Sequence, residues 1–359
     1  MNKKVYLKAY MVKNLGDDLF LKMFVDRYGD KNKIYLYANS DYKKMLNNKV
    51  TICKNVFTIL FNKTLKLITK KRRDIQSVLY KNTDLMVQIG GSLFMEKSDP
   101  NYKETIKVDY PQNTKYYLLG SNFGPYKSEE FLNTYKEVFK KAEDVCLRDE
   151  YSYNLFKDLD NVRYTSDIVY GLDVSKVKKT DSKKVVISVI DCATKIGNEY
   201  KDSYKQKLKE TIEQLVSKNY EIVLMSFCKI ENDEIAINEI YDELSENIKD
   251  KVSKYFYNGN IEEALNVLGD SSVIIGTRFH ANILGLILGK TIIPIAYSDK
   301  TLNALKDINF EGKIIDIRKL NEFNPEELNE DSLNYKISVT KQIESAQKQF
   351  EILDEELLN

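Results

Sequence analysis

Residues 271–296 read SSVIIGTRFHANILGLILGKTIIPIA, and this stretch decides the predicted fold. It begins with a β-branched run, Ser272–Ile275, and ends with another, Thr291–Ile295, with an apolar helical pattern between them. A strand, a helix and a second strand at this spacing predict a βαβ unit with parallel strands. A bilayer span needs about 20 predominantly apolar residues. Four residues interrupt the apolar run: Arg278, His280, Lys290 and Pro294. The segment is therefore predicted to lie in a protein core.

The same alternation of strands and helices extends through most of the chain. In the first half the predicted strands are Lys4–Tyr10, Ile34–Ala38, Asp84–Ile89, Lys115–Leu119 and Asp144–Leu147, with helical patterns such as Asp17–Tyr28 and Ser128–Lys141. In the second half they are Val185–Ile190, Glu221–Ser226, Lys254–Tyr257, Ser272–Ile275 and Thr291–Ile295. A polar stretch, Asp173–Lys184, separates the two series. The sequence therefore predicts an α/β protein with two Rossmann-like domains facing a cleft, residues 1–172 and 184–324, followed by a C-terminal helical segment, residues 325–359.

Composition and charge narrow the class of protein. The 359 residues include 55 Lys and Arg against 54 Asp and Glu, so the net charge is +1, and nucleic-acid binding is not indicated. The four cysteines are far apart and form no C-x-x-C pair, which favours reduced core thiols and a cytoplasmic protein. They are Cys53, Cys146, Cys192 and Cys228. The N-terminus is interpreted as a first strand, without the apolar stretch of a signal peptide.

Glycine-containing loops follow three predicted strands of the first domain. They are Asn14-Leu15-Gly16-Asp17, Gly90-Gly91-Ser92, and Gly120–Pro125 with Asn122 inside it. Glycines at the carboxyl end of a strand let backbone amides approach a ligand, so together these loops predict a ligand rim. Asp17 is either a carboxylate that stabilises a helix N-terminus or a catalytic base. Arg148 and Asp149 follow a fourth strand, and they predict a similar group of ligand-binding side chains at the edge of the sheet.

The strongest site signal is Gly276-Thr277-Arg278-Phe279-His280, where a strand runs into a helix. His280 is the sole histidine in the chain. Arginine offers a rigid fork for carboxylate or phosphate oxygens, and a helix N-terminus adds amides. We therefore predict an anion site at this junction, although a lone histidine can also be structural. Tyr297 and Lys300 follow the next strand and are expected at the same sheet edge, where Lys300 is either a second phosphate contact or a surface lysine.

Taken together, these motifs resemble the polysaccharide pyruvyl transferase family. The family pattern occurs here in order, as Asn14–Asp17, Gly90–Ser92, Gly120–Pro125, Arg148–Ser152, Asp167, Gly276–Ala281 and Tyr297–Lys300. Ser92 replaces the third loop glycine, and Asn122 stands where glutamine is frequent. The resemblance implies a GT-B architecture, phosphoenolpyruvate as donor, and a product in which a sugar of a cell-surface polysaccharide, such as an exopolysaccharide or capsule, carries pyruvate as a cyclic ketal.

The resemblance also implies roles for individual residues. His280 would be the general acid, Arg278 and Lys300 would hold the donor's phosphate and carboxylate, and Asp17 would be the base from across the cleft. The remaining motif residues would bind substrate: Asn14, Gly16, Gly90, Gly91, Ser92, Asn122, Arg148, Asp149, Asp167 and Tyr297. No metal or other cofactor is expected. Two alternatives remain open, a nucleotide-sugar glycosyltransferase on the same fold and a non-catalytic scaffold for sugar-polymer assembly.

A basic segment, residues 61–79, points to a further partner. It holds Lys63, Lys66, Lys70, Lys71, Arg72 and Arg73 against one acid, Asp74. Leu65, Ile68, Ile75 and Leu79 give it partial helical periodicity. The segment is either a solvated helix of the first domain or a peripheral contact with the anionic inner face of the cell membrane, where a lipid-linked acceptor would be presented.

Overall fold

The computed structural model of this chain describes residues 2–70, 74–96, 106, 110, 114–180 and 182–359. These residues form two compact units. Unit 1 comprises residues 1–11, 19–171 and 344–359, and unit 2 comprises residues 12–18 and 172–343. The predicted boundaries, 1–172, 184–324 and 325–359, differ from this division, in which residues 325–343 also belong to unit 2. The short segment 12–18 packs with unit 2, and the last helical residues pack with unit 1.

Unit 1 is built on a parallel sheet. Its strands are β1 (Lys4–Lys8), β2 (Lys33–Leu36), β3 (Val50–Ile52), β4 (Leu85–Ile89), β5 (Ser92–Phe94), β6 (Lys115–Phe123), β7 (Asp144–Leu147) and β8 (Val162–Tyr164). Their order is β3-β2-β1-β4-β6-β7-β8, with β5 paired to β6. The chain builds outward from β1 and then returns to place β4 on its other side. This reversal makes the carboxyl ends of β1 and β4 a topological switch point, where open α/β sheets bind ligands.

Unit 2 repeats this plan with six parallel strands. They are β9 (Lys184–Ser188), β10 (Glu221–Ser226), β11 (Val252–Phe256), β12 (Val273–Gly276), β13 (Thr291–Ala296) and β14 (Ile315–Asp316). Their order is β11-β10-β9-β12-β13-β14, so the switch point lies between β9 and β12. The strand β12 is buried along its whole length, as expected for β-branched residues covered on both faces.

Helices connect the strands in both units. Those whose bounds the structure describes begin with α1 (Leu15–Tyr28), α2 (Asp41–Met45), α3 (Val56–Ile68), α4 (Ile75–Leu79), α5 (Glu129–Phe139), α6 (Glu150–Phe156), α7 (Cys192–Lys195) and α8 (Lys201–Ser217). The others are α9 (Asp233–Asp242), α10 (Glu246–Lys249), α11 (Ile261–Gly269), α12 (Phe279–Ile287), α13 (Asp299–Asp307), α14 (Glu330–Asn334), α15 (Thr340–Gln347) and α16 (Glu351–Leu357). The predicted α/β class with two parallel sheets is thus confirmed.

Two local predictions need correction. The loop predicted at Gly120–Pro125 is mostly strand, because β6 continues to Phe123 with a register irregularity between Leu119 and Ser121. The basic segment 61–79 is not a single helix. The helix α3 starts earlier, at Val56, and ends at Ile68, whereas Ile75 begins the separate helix α4 and is buried. Lys71, Arg72 and Arg73, which the sequence analysis counted in this basic segment, lie outside the described residues.

The cysteines are free thiols. Cys146, Cys192 and Cys228 are buried, and burial raises the pKa of Cys146 and Cys192 to about 12. Thiols with raised pKa values are poor nucleophiles near neutral pH, which agrees with a packing role. Within the described part of the chain, no helix combines the length and apolar character needed to cross a bilayer.

Candidate active site

The switch point of unit 2 carries the predicted Arg278 and His280. Ser188 at the end of β9 pairs in register with Gly276 at the end of β12. Directly after β12 the chain turns into α12, and the backbone amide of Arg278 donates to Ser188 Oγ at 3.1 Å. The side chain of Arg278, at the N-cap of α12, forms no capping hydrogen bond with this helix. The amides of this first turn are therefore oriented toward the carboxyl edge of the sheet, where an anion is favoured.

The Asn14–Asp17 loop lies at the same edge, because it packs within unit 2. Asn14 forms an antiparallel bridge with Cys228, and the amide of Leu15 donates to Phe227 O at 3.0 Å. Inside the loop, Asn14 Oδ1 accepts from the amide of Gly16 at 3.1 Å. The loop is thus fixed to the chain that follows β10, and Asp17 occupies the first turn of α1.

Gly16 and His280 are in close contact. A Cβ atom added to Gly16 would lie 2.6 Å from the Cγ atom of the His280 imidazole and would overlap the ring. A glycine is therefore required at position 16 by close approach rather than by backbone conformation. The imidazole of His280 is half-buried, and so is the carboxylate of Asp17, the next residue after Gly16. The structure thus brings the two predicted catalytic groups onto adjoining turns.

A buried hydrogen bond anchors the start of α1. The phenol of Tyr257 donates to Asp18 Oδ2 at 2.7 Å, and both side chains are buried. The amide of Tyr257 in turn donates to Ser226 Oγ at the end of β10. The hydrogen bond between Asp18 and Tyr257 therefore holds the Asn14–Asp17 loop in place. The carboxylate of the preceding residue, Asp17, is not part of this hydrogen bond.

Arg278 is tied to two acids. Its guanidinium donates to Asp233 through Nε at 3.1 Å and through Nη2, and it donates to Glu231 through Nη1. Burial alone would lower the pKa of Arg278, but these two carboxylates outweigh it and raise that pKa. Burial likewise favours a high pKa for Glu231, yet Arg278 and Lys195 lower the pKa of its carboxyl overall. The fork predicted to bind donor is thus already engaged by protein carboxylates.

Tyr297 and Lys300 lie beside the same helix start. Lys300 Nζ is 4.5 Å from the ring centroid of Phe279, and that ring is in edge contact with the His280 imidazole at 5.3 Å. Tyr297 packs against the core of unit 2 and lies close enough to Arg278 to contribute to its raised pKa. The sequence-predicted residues of unit 2 therefore form one cluster around the first turn of α12.

The predicted residues of unit 1 form a second cluster, in which Arg148 is central. Arg148 donates to Asp167 Oδ2 and to Asn122 Oδ1, both at 2.6 Å, and all three side chains are buried. Ser92 Oγ contacts Asn122 Oδ1 at 3.2 Å. A Cβ on Gly91 would lie 2.5 Å from Arg148 Nη1, so the glycine makes room for the guanidinium.

The remaining residues of unit 1 extend this network. Asp149 caps α6 by accepting from the amide of Ser152, and Ser152 Oγ accepts from the amide of Phe123. Ser121 Oγ donates to Gly90 O at 2.6 Å. The motifs after β4, β7 and β8 and the end of β6 are thus joined by hydrogen bonds inside unit 1. A direct contact between these buried side chains and a substrate stays a prediction.

The sequence analysis missed Asp18, Glu231, Asp233 and Tyr257. Asp18 carried a usable signal, because it lies three residues after Leu15 and three before Leu21 on the buried face of α1. Asp233 stands in the polar run Glu231-Asn232-Asp233-Glu234, where nothing in the sequence distinguishes the one fully buried acid from its half-buried neighbours. Across the described residues, no group of three or more His, Cys, Asp or Glu side chains could hold a metal ion.

Comparison with known proteins gives the family. The family described as polysaccharide pyruvyl transferase matches residues 14–299, which include the motifs named above except for Lys300, one residue beyond the match. The chain belongs to this family. A relative, the amylovoran biosynthesis protein AmsJ of Erwinia amylovora, is 22% identical over 266 residues, which make up 67% of this chain and 63% of that protein. The match thus spans less than two thirds of that relative's length.

Solved structures extend the comparison to the fold of this family member. The UDP-GlcNAc 2-epimerase from Methanocaldococcus jannaschii, in complex with UDP-GlcNAc and UDP, has a TM-score of 0.61 at 13% identity, covering 99% of this chain and 100% of its own. S. aureus MnaA, solved with UDP, has a TM-score of 0.63 at 11% identity, covering 100% and 97%. These similarities confirm the GT-B-type architecture.

Proposed function

We propose that this protein transfers the pyruvyl group of phosphoenolpyruvate to two hydroxyls of a sugar in a polysaccharide or its lipid-linked precursor, forming a cyclic ketal and releasing phosphate. Membership in the pyruvyl transferase family supports this reaction class. The observation that carries the assignment is the packing of His280 against Gly16, which sets the imidazole beside the residue that precedes Asp17 in the chain. An imidazole and a carboxylate on adjoining turns can serve as an acid and a base in one reaction.

The proposed steps conserve protons. His280 gives a proton to the methylene carbon of the donor, the first sugar hydroxyl oxygen bonds to C2, and the proton of that hydroxyl passes to Asp17. The bond between C2 and the phosphate oxygen then breaks, and its electron pair leaves with phosphate, which takes the proton from Asp17. The second hydroxyl bonds to C2 and gives its proton to His280. Both side chains return to their starting protonation states.

The donor's phosphate is assigned to the first turn of α12 and to Lys300. The amides of that turn supply oriented donors, and Lys300 lies beside Phe279 at the helix start. Because Arg278 already binds Asp233 and Glu231, we assign it the positioning of this turn and a contribution of positive charge, not a bidentate grip on the donor. The negative charge that develops on the departing phosphate would be stabilised by these groups.

The test is incubation with labelled phosphoenolpyruvate and a panel of lipid-linked sugars. We expect acceptor-dependent transfer of label and release of phosphate, with a ketal carbon visible by NMR in the product. Asp17→Asn should abolish transfer and keep donor binding, with Asp26→Asn on the same helix as the control. Asp26 pairs with Lys22 at the surface, remote from the loop.

The same assay separates the two alternatives. Release of nucleotide from a sugar nucleotide, without use of phosphoenolpyruvate, would replace the proposal by a glycosyltransferase function. Donor binding without acceptor-dependent phosphate release across the panel would favour a non-catalytic scaffold.

A further inference from the structure

The helix α3 of unit 1 exposes its apolar side chains. None of its thirteen residues, all of which the structure describes, is buried. Phe57 is 84% exposed, Leu67 81% and Ile68 75%. Val56, Ile59, Leu60 and Phe61 are exposed as well. Single exposed apolar residues are ordinary on a protein surface, but seven on one short helix form a contiguous patch of the kind that marks an interaction site.

An ordinary surface helix turns its apolar side toward the protein, whereas α3 turns its apolar side outward and a polar side toward the rest of unit 1. The side facing the rest of unit 1 carries Thr58, which donates to Cys53 O at 2.8 Å, and Asn62, which accepts from the amide of Ile75 at 2.9 Å. Leu65, one turn further, is the sole half-buried apolar residue of the helix. Phe57, Phe61 and Ile68 follow the spacing i, i+4, i+11 and share the outward face. The helix is thus attached by polar bonds and presents its apolar side to the surroundings.

Positive charge accompanies this face. Lys63 and Lys66 are exposed on the helix, and Lys70 follows its end. Between Asp41 and Asp74 the sequence contains ten Lys and Arg and no Asp or Glu. Lysines on and next to an apolar helix face, as Lys63, Lys66 and Lys70 are here, are complementary to an anionic lipid surface, because the apolar side chains enter the acyl boundary while the cations meet the headgroups. A protein partner would need acidic residues around an apolar groove, whereas a bilayer supplies both features over any area.

We propose that α3 is a membrane-docking helix that lies in the interface of an anionic bilayer, with Phe57, Leu60, Phe61, Leu67 and Ile68 inserted. The helix spans about 20 Å and would lie in the plane of the surface with its apolar side about 5–10 Å deep. Docking of this kind requires no spanning segment. It goes beyond the proposed chemistry and does not depend on it, since vesicle binding is measured without turnover.

Insertion can be measured with a single reporter, because the chain contains no tryptophan. In full-length Phe57→Trp, vesicles of phosphatidylglycerol and phosphatidylcholine should shift the emission to the blue, and brominated lipid should quench it. The control is Ile235→Trp, at a 55% exposed apolar position on α9 of unit 2, whose emission should not change. Unchanged emission of Phe57→Trp on vesicle addition would overturn the proposal.

Co-sedimentation separates the apolar from the electrostatic contribution. The variant F57S/L67S/I68S should partition onto these vesicles at least about tenfold less than wild type. The variant K63Q/K66Q/K70Q should bind more weakly and with a smaller salt dependence, whereas K176Q/K178Q/K179Q, a matched change at exposed lysines of unit 2, should bind like wild type. Equal binding by wild type and F57S/L67S/I68S would overturn the proposal. Self-association that F57S/L67S/I68S abolishes, without vesicle binding by wild type, would assign the face to a second protein chain and also overturn it.

Discussion

The carboxylate of Asp233 binds both the side chain of Arg278 and the backbone that directly follows β10. Its Oδ2 atom accepts from the amides of Phe227 and Cys228, both at 2.9 Å, and from Arg278 Nε at 3.1 Å. The chain at Phe227 in turn holds Leu15 of the Asn14–Asp17 loop. One fully buried acid thus connects the two turns that carry His280 and Asp17. This makes Asp233 a positioning residue for both.

Removing the charge of Asp233 should loosen both turns. In Asp233→Asn the buried guanidinium of Arg278 loses its main partner, and breaking a buried ion pair from one side costs about 3–5 kcal/mol. We expect a lower Tm and a fall in kcat larger than the change in KM for donor. Asp242→Asn, an exposed acid on the same helix, is the control and should change neither value. Wild-type stability and kcat in Asp233→Asn would show that Asp233 does not connect the turns.

Arg278→Lys keeps the charge but removes the planar fork. The ammonium of lysine carries its N–H groups on one nitrogen, so it cannot bind Asp233 and Glu231 through three separate nitrogens as Arg278 does. The first turn of α12 should therefore lose its fixed orientation. We expect weaker phosphoenolpyruvate binding by calorimetry together with a lower Tm. An unchanged dissociation constant would remove Arg278 from the donor site, in both a direct and a positioning role.

His280→Asn tests the proposed acid. Asparagine keeps a polar side chain of smaller size, so the fold and donor binding should persist. General acid catalysis contributes about 10²–10⁴-fold, and the rate of transfer should fall by that factor. The rate is measured as acceptor-dependent phosphate release, with donor affinity measured in parallel. A rate within about threefold of wild type would exclude His280 from the proton transfer.

Gly16→Ala tests the contact between the two turns. The added methyl would overlap the His280 imidazole, which must then rotate or move away. We expect loss of transfer with little change in Tm, because the backbone at this position is not in the left-handed region. Gly171→Ala is the matched control, since its Cβ would meet the flexible end of Gln347 at 3.1 Å and unit 1 should absorb it. If Gly16→Ala retains wild-type activity, the imidazole does not need its present position.

The sequence predicted the strands and the motif loops, but not which loops pack together. Long apolar runs such as β4 and β12 are specified locally, so their existence follows from composition and spacing. The strands β3, β5, β8 and β14, each of two or three residues, were missed because their pairing depends on longer neighbours. The assignment of Asn14–Asp17 to unit 2 rests on the Leu15–Phe227 hydrogen bond and the Asp18–Tyr257 hydrogen bond, which join residues over 200 positions apart. Arg278 was correctly placed at the junction, but its two acids lie more than 40 positions earlier.

The network of unit 1 should matter first for stability. The Arg148 and Asp167 side chains are 1% and 3% exposed, and their ion pair is 2.6 Å long. In Asp167→Asn the buried guanidinium of Arg148 no longer faces a negative charge at position 167. We therefore expect the free energy of unfolding to fall by about 3–5 kcal/mol. Asp158→Asn, at an exposed acid of unit 1, is the control. Thermal unfolding should show a lower Tm for Asp167→Asn alone. An unchanged Tm with a loss of acceptor use would instead assign Asp167 directly to substrate binding.

The pH dependence of stability should report the Glu231 carboxylate. Burial works to raise its pKa, but Arg278 and Lys195 lower it below the usual 4.5, so the folded state favours the charged form. A group with a lowered pKa contributes stability that is complete above its unfolded pKa and is lost as the pH falls through the folded one. The Tm difference between wild type and Glu231→Gln should therefore be constant from pH about 7 to pH about 5 and shrink at lower pH. Glu262→Gln, at an exposed acid of unit 2, is the control and should follow wild type over the same range. A difference between wild type and Glu231→Gln that does not shrink as the pH falls below 4.5 would show that Arg278 and Lys195 do not lower the pKa of this carboxyl in the folded protein.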